Sequence, residues 1–311
     1  MDDLAVLTPS FRGDARLFAD LHRSVMLNTD ESVVHHVVVP PCDARLFRRF
    51  EGPRCRVWTH RELLPRYFVS VPYASGLALN LRRPLPPVRG CVVQQVMKLA
   101  AAARLDARAV LVVDSDAVLV RPASLDELTH DAGLWHYCKD HGVTEGMRRH
   151  VVWHGVARRI LGLPDAALPP LPDYVSPISV WDPSVVRSML ERISDATGRP
   201  WIDVVASQLH VSEFVVYGVF VDEVLGRDAG RDRDLCHNYY ARSPLRPAEA
   251  AAFAERMPSQ ALGVMISSHS RTPHHVRRMT FRRCREIARA LGAKAAPFIA
   301  PLLPASEYCA L

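Results

Sequence analysis

The chain has 311 residues, of which 49% are hydrophobic and 23% are charged, a composition ordinary for a globular protein with a sizeable core. No apolar run approaches the roughly 18 residues that cross a bilayer, and the first residues lack the basic and apolar regions of a signal peptide. The seven cysteines are scattered and form no C-x-x-C pair, which indicates reduced thiols and argues against a disulfide framework or a clustered zinc site. We therefore expect a cytoplasmic protein.

The chain opens with a strand, a polar loop and a helix. Residues 4–10 form a short apolar run that ends in a turn, and residues 14–28 place Leu17, Leu21 and Val25 on one face of a helix. This order is that of a nucleotide-binding α/β unit. The chain has no G-x-G-x-x-G sequence and no Walker A motif, which argues against a dinucleotide oxidoreductase or a P-loop enzyme.

Two further strands are predicted before residue 60. Residues 33–40 are an apolar run that contains His35 and His36, and residues 55–59 form the third strand. We expect both histidines to be structural, because a pair without a third ligand is poor support for a metal site. Residues 60–90 show no periodic pattern and are predicted to be a long irregular loop, which either lines a site or is a plain surface loop.

The clearest helix spans residues 91–104 and leads directly into a strand at residues 109–113. The continuous apolar run of this strand is typical of a parallel sheet that is covered on both faces. On the preceding helix, Lys98 belongs to the polar side, opposite the apolar face. Its plainest interpretation is a solvated position.

Two aspartates follow this strand at a spacing of two residues. Asp114 and Asp116 are expected at the carboxyl end of the strand, where open α/β sheets bind ligands. On an extended chain this spacing points both carboxylates the same way, and two such ligands suit Mg²⁺ or Mn²⁺ shared with a substrate's phosphates. The alternative is an ordinary turn with two solvated acids.

The second half of the chain continues the alternation of strands and helices. Residues 174–181 are predicted to be a strand, and Asp182 caps the helix that follows. Glu213 belongs to the sequence S-E-F-V-V-Y-G, which begins an aromatic and apolar helix. Residues 261–270 are predicted to be the last strand, with polar residues that include His269 at its end.

The positive charge is concentrated in one segment. Residues 271–294 hold eight lysines and arginines and one acid, a local net charge of +7, so the rest of the chain has a net charge of −1. Residues 276–291 are predicted to be an amphipathic helix with an apolar face formed by Val276, Met279, Cys284, Ile287 and Leu291.

The basic side of this helix suits a diphosphate donor, an anionic membrane surface or an acidic partner such as a carrier protein. Nucleic acid ranks last, because no recognised nucleic-acid motif accompanies the charge. The simplest alternative is a docked helix whose arginines are solvated.

The opening strand-loop-helix, the strand-borne D-x-D, the S-E-F-x-x-Y-G stretch and the late histidine together resemble GT-A-type glycosyltransferases, which use nucleotide sugars. The resemblance spans roughly residues 4–270. It implies a nucleoside-diphosphate sugar as co-substrate and a divalent metal, Mn²⁺ or Mg²⁺. Asp116 would ligate the metal directly, Asp114 would hold it through water or contact the ribose, and His269 would complete the ligand set. The donor would also meet Thr8, Pro9, Ser10, Arg12, Ser115 and Lys98, with Lys98 near the phosphates.

The same resemblance supplies a candidate catalytic base. An inverting glycosyltransferase needs a carboxylate that removes the proton of the acceptor hydroxyl as the hydroxyl attacks the anomeric carbon. Glu213 is the first candidate and Asp222 the second. The alternative for Glu213 is a helix N-terminal acid that the helix dipole stabilises, and a retaining enzyme would need no such base.

We predict a GT-A-like α/β fold in residues 1–270, built around a mostly parallel twisted sheet that helices flank. Residues 1–122 would form the nucleotide-binding half, residues 123–270 the acceptor-side half, and residues 271–311 a basic helix and tail. The predicted reaction moves a hexosyl or N-acetylhexosaminyl group, by default from a UDP-sugar, to a small-molecule, natural-product or carrier-bound acceptor with inversion.

Two other classes of function remain open. The D-x-D is also found in haloacid-dehalogenase-like phosphohydrolases, in which Asp114 would be a covalent nucleophile. Those enzymes usually carry the motif near the N-terminus, whereas about 110 residues precede it here. The chain could instead be a non-catalytic nucleotide-binding protein. The abundance of Ala and Arg indicates a GC-rich bacterial genome, and the basic segment would permit peripheral membrane association.

Overall fold

The computed structural model describes residues 2–71, 77–130, 133–165, 168–227 and 233–292. Lys294, at the end of the basic segment, and the tail that follows it lie outside the described residues. The strands are β1 (Asp2–Pro9), β2 (Val34–Val39), β3 (Cys55–Thr59), β4 (Phe68–Ser70), β5 (Ala78–Asn80), β6 (Arg83–Val88), β7 (Ala107–Val113), β8 (Ala117–Leu119), β9 (Thr129–His130), β10 (Gly133–Leu134), β11 (Lys139–Val143), β12 (Leu171–Asp173), β13 (Ile178–Trp181), β14 (Cys236–Tyr239) and β15 (Gly263–Ile266). The helices are α1 (Ala15–Asn28), α2 (Ala44–Phe47), α3 (His60–Leu63), α4 (Gly90–Arg104), α5 (Arg148–Leu161), α6 (Pro183–Thr197), α7 (Trp201–Ala206), α8 (Glu213–Val219), α9 (Pro247–Glu255) and α10 (His274–Gly292).

The central sheet is mostly parallel and has the strand order β13-β7-β1-β2-β3. β1 pairs in parallel with β2 and with β7, and β2 pairs in parallel with β3. β13 runs antiparallel along β7. The strands are continuous apolar runs because helices cover both faces of the sheet. The predicted class, an α/β fold on a mostly parallel sheet flanked by helices, is confirmed.

Alternate residues of β1 and β7 pack on opposite sides of this sheet. Leu7 and Val112 contact a layer that contains α4, α6 and α8, whereas Val6 and Leu111 contact α1 on the other side. These side chains are buried, and burial of one such side chain contributes about 1.5–3 kcal/mol. Burial on both faces fixes the register of β7, and with it the position of the residues that follow the strand.

β1 is the topological switch point of the sheet. The chain runs from β1 outward to β2 and β3, and it later places β7 on the other side of β1. Open α/β sheets bind ligands in the crevice outside the carboxyl ends of the strands at such a point. The loop after β1 and the turn after β7 therefore flank a natural binding crevice.

A second, three-stranded sheet lies beyond the carboxyl end of β7. Its order is β14-β15-β8, in which β8 is antiparallel to β15 and pairs Ala117 with Met265. β14 runs parallel to β15 and pairs Tyr239 with Ile266. The carboxyl ends of β14 and β15 therefore lie beside the start of β8, next to Asp116.

The D-x-D is not extended, which corrects the prediction from its spacing. The Ala117 N–H donates to the Asp114 carbonyl at 3.0 Å, so residues 114–117 form a turn between β7 and β8. The chain turns here because β8 leaves the central sheet and pairs with β15. The Asp114 and Asp116 carboxylates are instead oriented by contacts with other segments, Asp114 by Lys98 and Asp116 by Ser268.

The prediction of a long irregular loop over residues 60–90 was wrong for most of that stretch. α3 begins it, and β4, β5 and β6 form an antiparallel three-stranded sheet. These strands gave no pattern because they are short, and β6 reads R-P-L-P-P-V, a proline content that is confined to edge strands. Residues 72–76 of the stretch lie outside the described residues.

α10 occurs where it was predicted, but its apolar face differs. Met279 and Leu291 were placed on that face, and both are exposed. The buried residues of the helix are Val276, Arg277, Thr280, Phe281, Cys284 and Ala288, and the apolar ones among them pack on α9. Residues four apart lie along one side of a helix, and the buried residues form two such rows, 276-280-284-288 and 277-281. Positions 279 and 291 belong to neither row.

The two predicted halves share both of these sheets. β13, from residues 123–270, joins the central sheet, and β8, from residues 1–122, joins the second sheet. The division into nucleotide-binding and acceptor-side halves stays a prediction. None of the described helices combines the length and the apolar character that crossing a membrane requires.

Candidate active site

Three carboxylates from two segments meet in the crevice at the switch point. Asp14 lies after β1, where α1 begins, and Asp114 and Asp116 lie in the turn after β7. The Ser115 hydroxyl donates to Asp14 Oδ2 at 3.0 Å and joins the two segments. Burial raises the pKa of all three carboxyls, and each pKa is raised further by another member: Asp14 by Asp114, Asp114 by Asp116, and Asp116 by Asp14.

Asp116 is oriented by the loop after β15. Its Oδ2 accepts a hydrogen bond from the Ser268 N–H at 2.7 Å. The buried Arg277 side chain donates to the Asp116 carbonyl at 3.0 Å and to the Ser267 carbonyl at 3.4 Å. Burial raises the pKa of Asp116, while the Ser268 N–H and the Arg277 charge oppose that rise. One carboxylate oxygen is thus fixed by the protein, so the second has a defined direction.

Lys98 is buried between two carboxylates. Its Nζ lies 2.6 Å from Glu213 Oε1, 3.6 Å from Asp114 Oδ1 and 4.4 Å from the centre of the Phe214 ring. Burial by itself would lower the pKa of Lys98, but the Glu213 and Asp114 carboxylates outweigh it and raise that pKa. The ammonium is therefore charged at neutral pH. Lys98 does not lie on a solvated face of α4, which was the plain interpretation of the helical pattern.

Asp114 is only partly buried, and its side chain keeps 40% of its surface exposed. Burial raises the pKa of Asp114 to about 6; Lys98 acts to lower it, and the charges of Asp116 and Glu213 act to raise it. A carboxylate with this pKa is mostly ionised at pH 7 and binds a cation in competition with protons.

The carboxylate cluster, as we call this set, has more negative than positive charge. It comprises Asp14, Asp114, Asp116 and Glu213 together with two buried cations, Lys98 and Arg277. Two negative charges remain uncompensated, which suits a divalent cation with a preference for oxygen ligands. Within the described ranges, no group of three or more His, Cys, Asp or Glu side chains is arranged to hold a metal ion. A cation would therefore take Asp114 and Asp116 as ligands and the remainder from a bound phosphate and water.

The two candidate bases belong to different networks. Glu213 begins α8, which the Ser212 side chain caps, and it is 4% exposed with Lys98 on one oxygen. Asp222 lies in a π-helical turn after α8, where its Oδ2 accepts a hydrogen bond from the Tyr174 hydroxyl at 2.9 Å. Glu213 is thus part of the carboxylate cluster, and the contacts of Asp222 lie elsewhere. The role of either residue as a base stays a prediction.

The last residues of β1 and the loop that follows include the remaining residues that were predicted to meet the donor. Thr8 is buried, and its Oγ1 lies 2.9 Å from His35 Nε2. Pro9 ends β1, and the buried Ser10 Oγ has no hydrogen-bond partner among the described residues. Arg12 donates two hydrogen bonds to the Asp43 carboxylate, from its backbone N–H at 2.9 Å and from its Nε at 2.8 Å. The Thr8 hydroxyl is therefore directed into the core, whereas Ser10 and Arg12 follow the carboxyl end of β1.

His269 and Tyr240 follow the carboxyl ends of β15 and β14, beside Asp116. The His269 ring is exposed in the helical turn after β15, and its charge acts on the pKa of Asp14. Tyr240 directly follows β14, and its side chain is 58% exposed. Protein packed around the hydroxyl end of the side chain raises the pKa of the Tyr240 hydroxyl although the residue as a whole is exposed, and the Asp114 charge raises it further. An exposed aromatic ring beside the carboxylates is suited to stack on a sugar or a base. Metal ligation by His269 stays a prediction.

Sequence reasoning missed Asp14, Arg277 and Tyr240. Asp14 was assigned to the start of a helix, but its side chain makes no capping hydrogen bond and instead accepts one from Ser115. Arg277 was counted with the other basic residues of its segment, and only tertiary contacts show that it is buried. For Tyr240, the available signal was its position directly after a short polar and aromatic strand late in the chain.

Comparisons with known proteins give one family match and distant structural likenesses. A model described as "Family of unknown function (DUF6492)" matches residues 5–253. No curated protein gives a significant match. The galactosyltransferase LgtC, in complex with donor and acceptor sugar analogs, aligns with a TM-score of 0.42 and 12% identity over 94% of this chain and 97% of that chain. An active-site mutant of LgtC gives the same TM-score and identity over 91% and 95%. A likeness at this level does not define the chemistry of the site.

Proposed function

The chain belongs to the family of unknown function DUF6492, and from its site we propose that it is a metal-dependent glycosyltransferase. It moves a sugar from a nucleoside-diphosphate sugar to an acceptor hydroxyl. The observation that carries the proposal is the meeting of Asp14, Asp114 and Asp116 at the switch point of the sheet, beside the buried Lys98–Glu213 ion pair.

The charge of the crevice fits the leaving group of such a transfer. A nucleoside diphosphate gains negative charge as it leaves the sugar, and a divalent cation shared between carboxylates and phosphates neutralises that charge. The two uncompensated negative charges of the carboxylate cluster favour binding of the cation. A cation held by only two carboxylates would need further oxygen ligands, which a bound diphosphate would supply.

The protein groups divide into those that hold the cation and those that hold the carboxylates. The proposed ligands are Asp116, which Ser268 orients, and the partly exposed Asp114. Asp14 positions the turn through Ser115. Lys98 lies between the Glu213 and Asp114 carboxylates and reduces their repulsion, and its charge opposes the rise in the pKa of Asp114.

Glu213 is the proposed base in an inverting reaction. Lys98 engages its Oε1, so the acceptor proton would go to Oε2, and the acceptor hydroxyl must come within hydrogen-bond reach of that atom. The anomeric configuration of the product tests this assignment, and proton NMR of the glycoside measures it. A retained configuration would leave Glu213 only as the partner of Lys98.

The first experiment measures thermal stability with UDP, GDP, CDP and dTDP, each with and without Mn²⁺. UDP is the default donor base, with a hexosyl or N-acetylhexosaminyl group as the sugar. A ligand at 100 times its Kd stabilises the native state by about 2.7 kcal/mol, which raises the Tm by several degrees. We expect one nucleotide to do so, and only with Mn²⁺.

Release of that nucleoside diphosphate from its sugar then tests turnover with hydroxyl acceptors, both small molecules and carrier-bound groups. Binding without turnover of any donor would support a non-catalytic nucleotide-binding protein. No Mn²⁺-dependent shift with any of the four nucleotides would contradict the proposed site.

A phosphohydrolase is the second candidate, and the 3.6 Å contact between Lys98 and Asp114 favours it. A nearby ammonium keeps a nucleophilic carboxylate ionised and can balance the charge of an attacked phosphate. This candidate predicts an aspartyl-phosphate trapped on Asp114 and release of inorganic phosphate from a phosphomonoester. Glycosyl transfer predicts neither product.

A further inference from the structure

The first turn of α10 contacts three segments that surround the candidate active site. Arg277 is only 3% exposed, although it belongs to the basic segment that follows the last strand. Its Nη2 donates to the Asp116 carbonyl at 3.0 Å, and its Nη1 donates to the Ser267 carbonyl at 3.4 Å. The Nε of the next residue, Arg278, lies 3.9 Å from Asp20 of α1. The start of α10 is therefore joined to the turn after β7, to the loop after β15 and to α1.

Packing alone does not account for an arginine at position 277. Arg277 shares a buried row of α10 with Phe281, and an apolar side chain there would avoid the cost of burying a charge. Burial lowers the pKa of Arg277, and the charges of Asp116 and Asp14 oppose that effect. The Arg277 Nε is buried and has no hydrogen-bond partner among the described residues. The two hydrogen bonds to backbone carbonyls are therefore what this side chain provides and an apolar one would not.

The guanidinium sets the distance between two backbone segments. Its two terminal nitrogens belong to one rigid planar group, so the Asp116 and Ser267 carbonyls are held at a fixed separation. The N–H of the following residue, Ser268, donates to Asp116 Oδ2 at 2.7 Å. That hydrogen bond joins the same two segments and needs the same separation. The fork of Arg277 thus aligns the Ser268 donor with the carboxylate of Asp116.

We propose that Arg277 is a positioning residue of the cation site, which holds the Asp116 and Ser267 carbonyls at the separation that the Ser268 hydrogen bond requires. This role rests on the proposed function, which assigns a divalent cation to Asp116. A change in the separation would turn the second oxygen of Asp116 away from the cation. Groups that orient metal ligands contribute about 10- to 100-fold to metal affinity. The first turn of α10 is thereby part of the candidate active site.

Two substitutions separate the geometry of the hydrogen bonds from the charge. Arg277→Lys keeps a positive charge but replaces the planar fork with a single ammonium nitrogen. Arg277→Met removes both the fork and the charge. The matched control is Arg283, an exposed residue of the same helix that pairs with Glu255 at 3.7 Å and with Glu286 at 3.5 Å. Arg283→Lys and Arg283→Met make the same chemical changes away from the site.

The first measurement needs neither a metal ion nor a substrate. NMR of the isotope-labelled protein follows hydrogen–deuterium exchange of the Ser268 amide, which donates to Asp116. We expect this amide to exchange about tenfold faster or more in both Arg277 variants, because a hydrogen bond to a charged acceptor is weakened. The amides of β1 should exchange at the wild-type rate. Both Arg283 variants should match the wild type throughout.

The second measurement is the affinity for Mn²⁺ alone. Electron paramagnetic resonance of the free ion gives the Kd of each protein. We expect both Arg277 variants to bind Mn²⁺ about tenfold more weakly or worse, and both Arg283 variants to stay within about twofold of the wild type. Circular dichroism and the Tm check that each variant is folded. If Arg277→Met does not fold, Arg277→Lys decides, because it keeps the buried charge.

Three results would overturn the proposal. The first is wild-type exchange of the Ser268 amide in Arg277→Lys, which would show that a positive charge alone is sufficient. The second is an equal increase in the exchange of β1 and of Ser268, which would show that Arg277 stabilises the whole fold. The third is an unchanged Kd for Mn²⁺ in a variant whose Ser268 amide exchanges faster.

Failure of the proposed function has a different signature. A wild-type protein that binds no Mn²⁺ would contradict the cation site itself. The exchange of the Ser268 amide would still show whether Arg277 orients Asp116, because that measurement is made on the metal-free protein.

Discussion

The molecule contains two clusters of buried polar side chains near β1, and they differ in charge. The histidine cluster joins His22, His35 and Thr8: His22 Nδ1 lies 3.1 Å from His35 Nδ1, and His35 Nε2 lies 2.9 Å from Thr8 Oγ1. Burial lowers the pKa of His22 to about 4 and the pKa of His35 well below its ordinary value, so both rings are neutral at pH 7. The carboxylate cluster, by contrast, contains four carboxyl groups and only two buried cations, Lys98 and Arg277.

This difference separates a structural cluster from a functional one. A buried neutral group is stable once it is hydrogen-bonded, and nothing further is required. Buried charges that are only partly compensated are costly, and a ligand that completes the compensation relieves the cost. The prediction that His35 and His36 are structural is confirmed by their contacts, since His36 Nδ1 accepts a hydrogen bond from the Trp58 indole N–H at 3.0 Å.

The largest effect is expected at the centre of the carboxylate cluster. Lys98→Met should lower the free energy of unfolding by about 3–5 kcal/mol, because it leaves the Glu213 and Asp114 carboxylates without their buried cation. Urea denaturation followed by circular dichroism measures the change. Lys139→Met, at an exposed lysine, is the control and should change it by less than about 0.5 kcal/mol.

A companion variant shows whether the ion pair causes this loss. Lys98→Met/Glu213→Gln should recover part of the stability, because it removes the unpaired charge of Glu213. If Lys98→Met costs less than about 1 kcal/mol, Lys98 does not compensate the buried carboxylates.

The next effect concerns ligand binding. Asp116→Ala should weaken Mn²⁺-dependent nucleotide binding by about 100-fold or more and abolish turnover, because a cation ligand contributes several kcal/mol. The chain should stay folded, with circular dichroism unchanged. Calorimetric titration measures the Kd. Asp126→Ala removes an exposed carboxylate and should leave the Kd unchanged; a fully active Asp116→Ala enzyme would exclude the proposed mechanism.

The two clusters should respond to acid with opposite signs. The folded pKa of His22 is lowered from 6.5 to about 4, so its contribution to stability is full above pH 6.5 and is lost as the pH falls toward 4. The folded pKa of Asp114 is raised to about 6, so its contribution is absent above pH 6 and appears as the pH falls toward 4. Between pH 6.5 and 4, His22→Gln should therefore lose about 2 kcal/mol less stability than the wild type.

Asp114→Asn should lose more stability than the wild type over the same range, because it lacks the opposing contribution. Urea denaturation at a series of pH values measures both variants. Parallel pH profiles for the wild type and both variants would mean that neither group titrates as described. In the wild type, Mn²⁺-dependent nucleotide binding should also weaken about tenfold per pH unit below 6 as Asp114 is protonated.

The smallest effect is expected at the rim of the site. Tyr240→Ala should weaken nucleotide-sugar binding about five- to tenfold, because loss of a stacking ring costs about 1 kcal/mol. Tyr240→Phe keeps the ring and should stay within about twofold of the wild type. Affinity for Mn²⁺ alone should not change. Equal affinity of the Ala variant and the wild type would remove Tyr240 from the site.

Local patterns in the sequence determined the α/β fold class, the strands β1, β3 and β7, the cap of α6 by Asp182, and the position of the D-x-D at the end of a buried strand. These features depend on neighbours along the chain, through the period of apolar residues and the geometry of a helix terminus. The concentration of charge in residues 271–294 was likewise visible in the sequence.

Tertiary structure decided which of these residues form the site. Lys98 and Arg277 look like surface cations in the sequence, and only packing against carboxylates and carbonyls makes their burial favourable. Asp14 contacts Ser115 across 101 residues, and Arg277 contacts Asp116 across 161 residues. The D-x-D turns because β8 pairs with a distant strand. Periodicity describes only which side of an element is apolar, so it cannot show which polar groups from distant segments meet on the other side.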